Sequence, residues 1–364
     1  MSLKIGIVGL PNVGKSTLFN ALTRSQGAQA ANYPFCTIDP NVGVVEVPDP
    51  RLDKLTELAK PQKTIPTIVE FVDIAGLVRG ASKGEGRGND FLSSIREMDA
   101  ICHVVRIFKG DDIIHVEGSV DPKRDRETIE TELAIADLDK VNKKIDKISG
   151  GAKSGNKELQ KELDVLLKLQ AALDAGKMAS TVVLDKDEMP YARALMILTI
   201  KPILYALNVS EQEIGKISLA DAKKQAGLDT RDIAIIVSAR LEEELIALSP
   251  EEGQEMLSSL GVRSSGLDQL IRSAYQLLGL QTYFTVGEKE VRAWTVKKGA
   301  TAPQAAGVIH TDFEKGFIRA ETIGYDDFVA AGSEAKAKEA GKLRVEGKEY
   351  IVQDGDVLHF RFNV

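Results

Sequence analysis

The pattern of apolar and polar positions along the chain falls into three textures. Leu3–Val8 is a short apolar run that leads straight into Gly9, as expected for a strand buried in a parallel sheet. Lys15–Leu22 then reads as a helix. Further apolar runs at Gly43–Val47, Thr67–Asp73, Ala100–Phe108, Pro202–Asn208 and Ile233–Ser238 are mostly separated by helical patterns. Strands alternating with helices predict an α/β domain with a doubly wound, mostly parallel sheet.

Residues 121–180 break that rhythm. Leu138, Val141, Ile145 and Ile148 recur at steps of three and four, and the stripe resumes at Leu159, Leu163 and Leu166 after Ser149–Gly155. Two striped helices around a Gly/Ser/Lys tip predict an antiparallel helical coiled-coil hairpin inserted in the α/β domain. Lys153 and Lys157 at the tip read as a solvated turn or as contacts to a phosphate backbone. From residue 281 onward the texture is β-rich. Strands are expected at Tyr283–Val286, Val291–Val296, Phe317–Thr322, Glu349–Val352 and Val357–Phe362, with a helix at Ala302–His310 and a turn at Asp354-Gly355-Asp356. Ala330–Gly341 reads as a surface segment. The expected boundaries are 1–280 for a nucleotide-binding domain carrying the 121–180 insert, and 281–364 for a small second domain.

Composition narrows the function classes. With 364 residues, 43% apolar and 28% charged, the chain has the make-up of a globular protein. A net charge of −7 removes any whole-molecule basic field for gripping nucleic acid. RNA contact would then need a local patch such as Arg292, Trp294, Lys297 and Lys298. Alternate strand residues face opposite ways, so Trp294 reads equally as core. The two cysteines, Cys36 and Cys102, fit a reducing compartment. No apolar stretch approaches a membrane span and the opening run reads as a strand, not a signal peptide, so the expectation is a cytoplasmic protein.

The chemistry sits in Gly9-Leu10-Pro11-Asn12-Val13-Gly14-Lys15-Ser16-Thr17. Glycines let the backbone wrap a phosphate and aim N–H groups at it, and the helix that follows adds the positive end of its dipole. Lys15 supplies a cation to the β- and γ-phosphates, and the Ser16 hydroxyl is placed for Mg²⁺. Asp73, ending an apolar run, is a metal carboxylate candidate, and the Gly76 amide a γ-phosphate donor. Thr37, between Pro34 and Pro40, is the candidate second metal hydroxyl. The Gly-rich stretch Arg79–Gly88 is expected to switch when a γ-phosphate orders it. Cys36 reads as an oxidisable thiol beside this cationic site or as an apolar filler.

Guanine-specific relatives of this fold place Asn-Lys-x-Asp at the end of a late strand. Here Asn208-Val209-Ser210-Glu211 stands there. Val209 lacks the lysine stem that packs over the base, and Glu211 is one methylene too long for the same doubly bonded geometry. Guanine donors left unmatched cost about 1–3 kcal/mol, so the expectation is ATP at least as good as GTP. Ser238-Ala239 is the last base contact. Leu77 stands where many GTPases carry a glutamine that orients water, so turnover is expected to be slow or to use another group. Lys15 and His115 are the catalytic candidates, His115 as a near-neutral base reached by loop closure or simply a surface or packing residue. His103 reads as core. A potassium ion near Asn12 is a further option.

These segments, with Asn32–Asn41, Ala81-Ser82-Lys83-Gly84-Glu85-Gly86 and the tail from Thr282 through Trp294 to Phe360, resemble the Obg-like ATPase family known as YchF along the whole chain. The resemblance implies an Obg-type nucleotide-binding domain with a coiled-coil insert and a C-terminal TGS domain of β-grasp type. It implies Mg²⁺-dependent hydrolysis of ATP, with GTP used more weakly, association with ribosomes or their large subunit or RNA, and a link to stress and redox responses. It also implies that Asn12, Val13, Gly14, Lys15, Ser16 and Thr17 bind ATP, that Ser16 and Thr37 bind Mg²⁺, and that the Val209 backbone meets the adenine. The function expected is a nucleotide-dependent switch on ribosomes. The alternative is an ATP-occupied scaffold for a protein partner, with hydrolysis incidental.

Overall fold

The computed structural model describes residues 3–24, 41–74, 88–108 and 119–363. Two compact units emerge: Met1–Val44 with Glu70–Ala274, and Val45–Val69 with Tyr275–Val364. In chain order the strands are β1 (Lys4–Val8), β2 (Val42–Glu46), β3 (Lys63–Ile65), β4 (Ile68–Asp73), β5 (Ala100–Arg106), β6 (Ile203–Asn208), β7 (Ile233–Val237), β8 (Leu280–Val286), β9 (Glu290–Lys297), β10 (Phe317–Ile323), β11 (Arg344–Glu346) and β12 (Val357–Phe362). The helices used below are α1 (Lys15–Arg24), α2 (Pro50–Ala59), α3 (Gly88–Arg96), α4 (Pro122–Lys153), α5 (Lys157–Asp174), α6 (Met189–Ala194), α7 (Leu219–Gln225) and α8 (Ala239–Leu245).

The first unit is a doubly wound α/β fold with sheet order β2-β4-β1-β5-β6-β7. β1 pairs in parallel with β4 and β5, β5 with β6, and β6 with β7. All seven residues of β5 are buried, as a strand covered on both faces requires. Parallel strands all end on one edge of a sheet. That edge gathers the residues after β1, β5, β6 and β7, the place where open α/β sheets bind ligands.

The hairpin is built from α4 and α5. Leu138, Val141, Ile145 and Ile148 of α4 pack with Leu159, Leu163, Leu166 and Leu169 of α5 in one apolar cluster. The glycines at 150 and 151, expected in the tip, lie inside α4. The turn is shorter: Ser154 ends α4, Gly155 takes φ +90°, and the Asn156 side chain accepts from Glu158 N and Leu159 N to start α5. Midway along α4, buried Asp137 accepts from Leu198 N at 2.9 Å, Thr199 N at 2.7 Å and Thr199 Oγ1 at 2.7 Å. These bonds oppose the desolvation that raises the Asp137 pKa and tie the hairpin to the segment entering β6.

The second unit holds a six-stranded mixed sheet, ordered β11-β10-β12-β8-β9-β3. It departs from the sequence expectation in three ways, while Trp294 takes the core reading. Residues 45–69, expected in the first domain, pack here, because β3 adds in parallel to β9 and Leu52 and Leu55 of α2 enter this unit's core. The expected strand at Glu349–Val352 makes only an isolated bridge between Ile351 and Thr301, while β11 forms at Arg344–Glu346. Ala330–Gly341, expected as a surface segment, carries the end of one helix, Tyr325–Ala331, and a second, Glu334–Glu339, with Ala337 fully buried. Trp294 packs on the core ring of Tyr283, and Arg292 stacks 3.8 Å over the Trp294 ring. No helix among the described residues is long and apolar enough to cross a membrane.

Candidate nucleotide site

The loop after β1 is shaped by two close approaches. A Cβ at Gly9 would stand 2.6 Å from the Val104 carbonyl oxygen, so the chain can pass β5 there only as glycine. Gly14 has φ +97°, and a Cβ on it would stand 2.3 Å from Asn208 Nδ2. Asn12 also takes a left-handed φ of 62°, a conformation asparagine tolerates better than most residues. The turn delivers Lys15 and Ser16 to the first turn of α1, whose free N–H groups face the loop.

Lys15 is 8% exposed, and its ammonium donates to Gly9 O at 2.9 Å and Leu10 O at 2.8 Å. The cation is thus held inside the loop curve by backbone carbonyls. Burial pushes the Lys15 pKa down to about 8, and the charge of Asp73 partly restores it. Asp73 ends β4, level with Ile7 of β1 in the strand register. Burial raises its carboxyl pKa, opposed by the Lys15 charge. The half-buried Asp73 carboxylate at the end of β4 and the exposed Ser16, which lines the cavity described below, are hard oxygen donors of the kind that fit Mg²⁺.

Asn208 is the brace of the site. Buried at the end of β6, it donates from Nδ2 to Val13 O at 2.8 Å and accepts at Oδ1 from Ala239 N at 3.0 Å. Both ends of its amide are used, so it locks the phosphate loop to the loop after β7. Ser238 caps α8, its hydroxyl accepting from Leu241 N at 3.4 Å. Val209 is 2% exposed, and its N–H donates to Val237 O at 2.9 Å.

These residues open onto one cavity of about 800 Å³. One end is lined by Asn12, Gly14, Lys15, Ser16 and Thr17. The other is lined by Phe108, Asn208 to Gln212, Ser238 and Ala239, with Arg240 and Glu243. The size suits a nucleotide. Arg240 Nε lies 2.7 Å from Glu211 Oε1 in an ion pair, and that buried oxygen has no hydrogen-bond partner among the described residues.

The structure therefore brings together Asn12, Val13, Gly14, Lys15, Ser16 and Thr17 with Asn208, Val209, Glu211 and Ser238, and sets Asp73 beside Lys15. Thr37, Gly76, His115, Leu77 and Cys36 lie outside the described residues. His103 is 2% exposed, its ring centroid 5.7 Å from that of Tyr205, and burial lowers its pKa to about 3, helped by the charges of Arg126 and Lys15. That keeps it a neutral core residue. Four lining residues escaped the sequence reading: Phe108, Gln212, Arg240 and Glu243. Phe108, under the Arg106 guanidinium at 4.3 Å, had a signal as the final residue of the fourth apolar run. Arg240 had none beyond following Ser238-Ala239.

A backbone-lined loop between a strand and a helix, with base-side residues on the neighbouring strand ends, defines a P-loop nucleotide-binding protein. A family model described as a 50S ribosome-binding GTPase (MMR_HSR1) matches residues 4–148. The model YchF-GTPase_C, described as "Protein of unknown function (DUF933)", matches residues 280–363. The ribosome-binding ATPase YchF of Bacillus subtilis (strain 168) is 58% identical across the whole of both chains, and that of Escherichia coli O157:H7 is 55% identical, again across both. The chain belongs to the YchF family. The solved YchF GTPase of Schizosaccharomyces pombe superposes with a TM-score of 0.89 at 41% identity, covering 99% of this chain and 98% of that one. A GTP-binding protein from Pyrococcus horikoshii OT3, at 23% identity and a TM-score of 0.59, shares the fold.

Proposed function

We propose that this chain is a Mg²⁺-dependent nucleoside triphosphatase that prefers ATP to GTP and acts as a nucleotide-dependent switch on ribosomes. The observation that carries the reading is the Lys15 cradle. A buried ammonium, held on two loop carbonyls with a lowered pKa, gains most by exchanging one of them for a phosphate oxygen. The loop amides and the start of α1 take the remaining phosphate charge. Ser16, Asp73 and Thr37 would hold the metal, which would supply charge neutralisation to the phosphates. The Gly76 amide meets the γ-phosphate, and His115 takes the proton of the attacking water.

At the base end, Val209 offers no lysine stem and Glu211 does not present an aspartate's geometry, so guanine loses its usual matched acceptor. Relatives named ribosome-binding ATPases, at 55–58% identity over full length, support both the nucleotide and the ribosome. The test is Mg²⁺-dependent hydrolysis of ATP and GTP, with and without purified large ribosomal subunits. Turnover of ATP above GTP, changed by the subunits, is expected. Absence of turnover of either nucleotide under both conditions overturns the reading. His115→Ala should slow turnover while leaving ATP affinity within about twofold.

A further inference from the structure

We infer that Arg240 is a specificity-determining residue of the base end: its ion pair with Glu211 withholds that carboxylate from guanine and tilts the cavity toward ATP. The inference rests on the reading that this cavity takes a purine nucleotide.

Glu211 lines the cavity three residues beyond Asn208, its side chain about two-thirds buried. An unengaged carboxylate there accepts from guanine's ring N–H or amino group, and repels the lone pair that adenine presents at the same ring position. The extra methylene of glutamate alters the doubly bonded geometry but still leaves an acceptor for one guanine donor. Composition at position 211 alone therefore does not remove guanine recognition. What engages the carboxylate is Arg240, whose Nε is 2.7 Å from Glu211 Oε1. Glu244, one turn further along α8, stands 3.6 Å from the same nitrogen. The guanidinium is thus held between two carboxylates at the cavity rim, and its charge compensates the group a guanine would need. Glu211 Oε1 has no hydrogen-bond partner among the described residues, so attraction of charge holds the pair. Any residue that keeps the charge should keep the effect.

The experiment measures affinities of ATP and GTP at matched Mg²⁺ by calorimetry on the full chain. The variants are Arg240→Ala, Arg240→Lys and Arg240→Ala combined with Glu211→Gln. Arg240→Ala should raise GTP affinity relative to ATP about tenfold, the worth of one hydrogen bond to a charged group. Arg240→Lys should hold the wild-type ratio, and adding Glu211→Gln to Arg240→Ala should return the ratio toward it. Arg240 is 78% exposed, so its replacement leaves the fold intact, and a general weakening of the site would lower both affinities and cancel in the ratio. A ratio that moves less than twofold in Arg240→Ala overturns the inference. So does an equal shift in Arg240→Ala and the double variant. A wild-type chain that binds neither nucleotide refutes the function proposed above, and the role of Arg240 in base choice falls with it.

Discussion

The two ends of one cavity are built in opposite ways. The phosphate end is backbone: loop amides, two glycines admitted by close approaches to Val104 and Asn208, and one lysine held on carbonyls. The base end is side chains from three separate strand ends: Phe108 after β5, Asn208 to Gln212 after β6, and Ser238 to Arg240 after β7. A backbone cradle tolerates almost no substitution and reads only charge. A side-chain pocket is easily retuned and reads the base. Under the proposed function, the same loop chemistry serves ATP or GTP and the choice is made at the far end.

Substitutions at the phosphate end should weaken both nucleotides together and leave their ratio alone. Lys15→Ala should have the largest effect, about hundredfold or more on each, because the charge-assisted contact is lost; equilibrium dialysis checks it. Gly14→Ala should come next. It sets a Cβ against Asn208 Nδ2 at a left-handed φ, costing about 1–3 kcal/mol in stability, read as a fall in the urea midpoint with weaker binding of both nucleotides. Asn208→Ala should cost about 2 kcal/mol in unfolding, because Val13 O and Ala239 N lose their partner in the interior. Either of the first two changing the ATP-to-GTP ratio strongly would break the division between the ends.

The smallest effect concerns what lies behind the base end. Glu242 in α8 is 2% exposed and accepts from Gly266 N at 2.7 Å, at the start of the helix Gly266–Leu277. Burial raises its pKa from 4.5 to about 7, opposed by hydrogen bonds from Gly266 and Leu267. A carboxyl whose folded pKa lies above its unfolded one binds more protons when folded. Its contribution to stability is therefore greatest below about pH 4.5 and declines as pH rises to 7, by at most about 1.4 kcal/mol per pH unit. Glu242→Gln should flatten that slope and stabilise the protein by about 2 kcal/mol at pH 8. Thermal unfolding between pH 5 and 8 measures it, and nucleotide affinity should not follow.

The same contrast explains what was legible in the sequence. The phosphate loop is contiguous, and each of its residues has a role fixed by spacing, so Asn12 to Thr17 could be read without knowing the fold. Asn208, Val209, Glu211 and Ser238 were legible because they follow apolar runs whose order in a doubly wound sheet is constrained. Arg240 was not, since its meeting with Glu211 depends on how α8 leaves β7. Nor did the pattern show that Asn208 spends its amide on Val13 and Ala239, a matter of side-chain geometry and not residue type. The assignment of 45–69 to the second unit was hidden for a similar reason. β3 has only three residues and one buried side chain, too short for period-two alternation to register, and its partner β9 lies more than two hundred residues downstream.

The most direct test of the two-ended account is the affinity of the wild-type chain for ATP and GTP, titrated side by side at matched Mg²⁺. The account predicts that both bind, through the shared phosphate cradle, and that ATP binds more tightly. Tighter binding of GTP, or binding of neither, would contradict it.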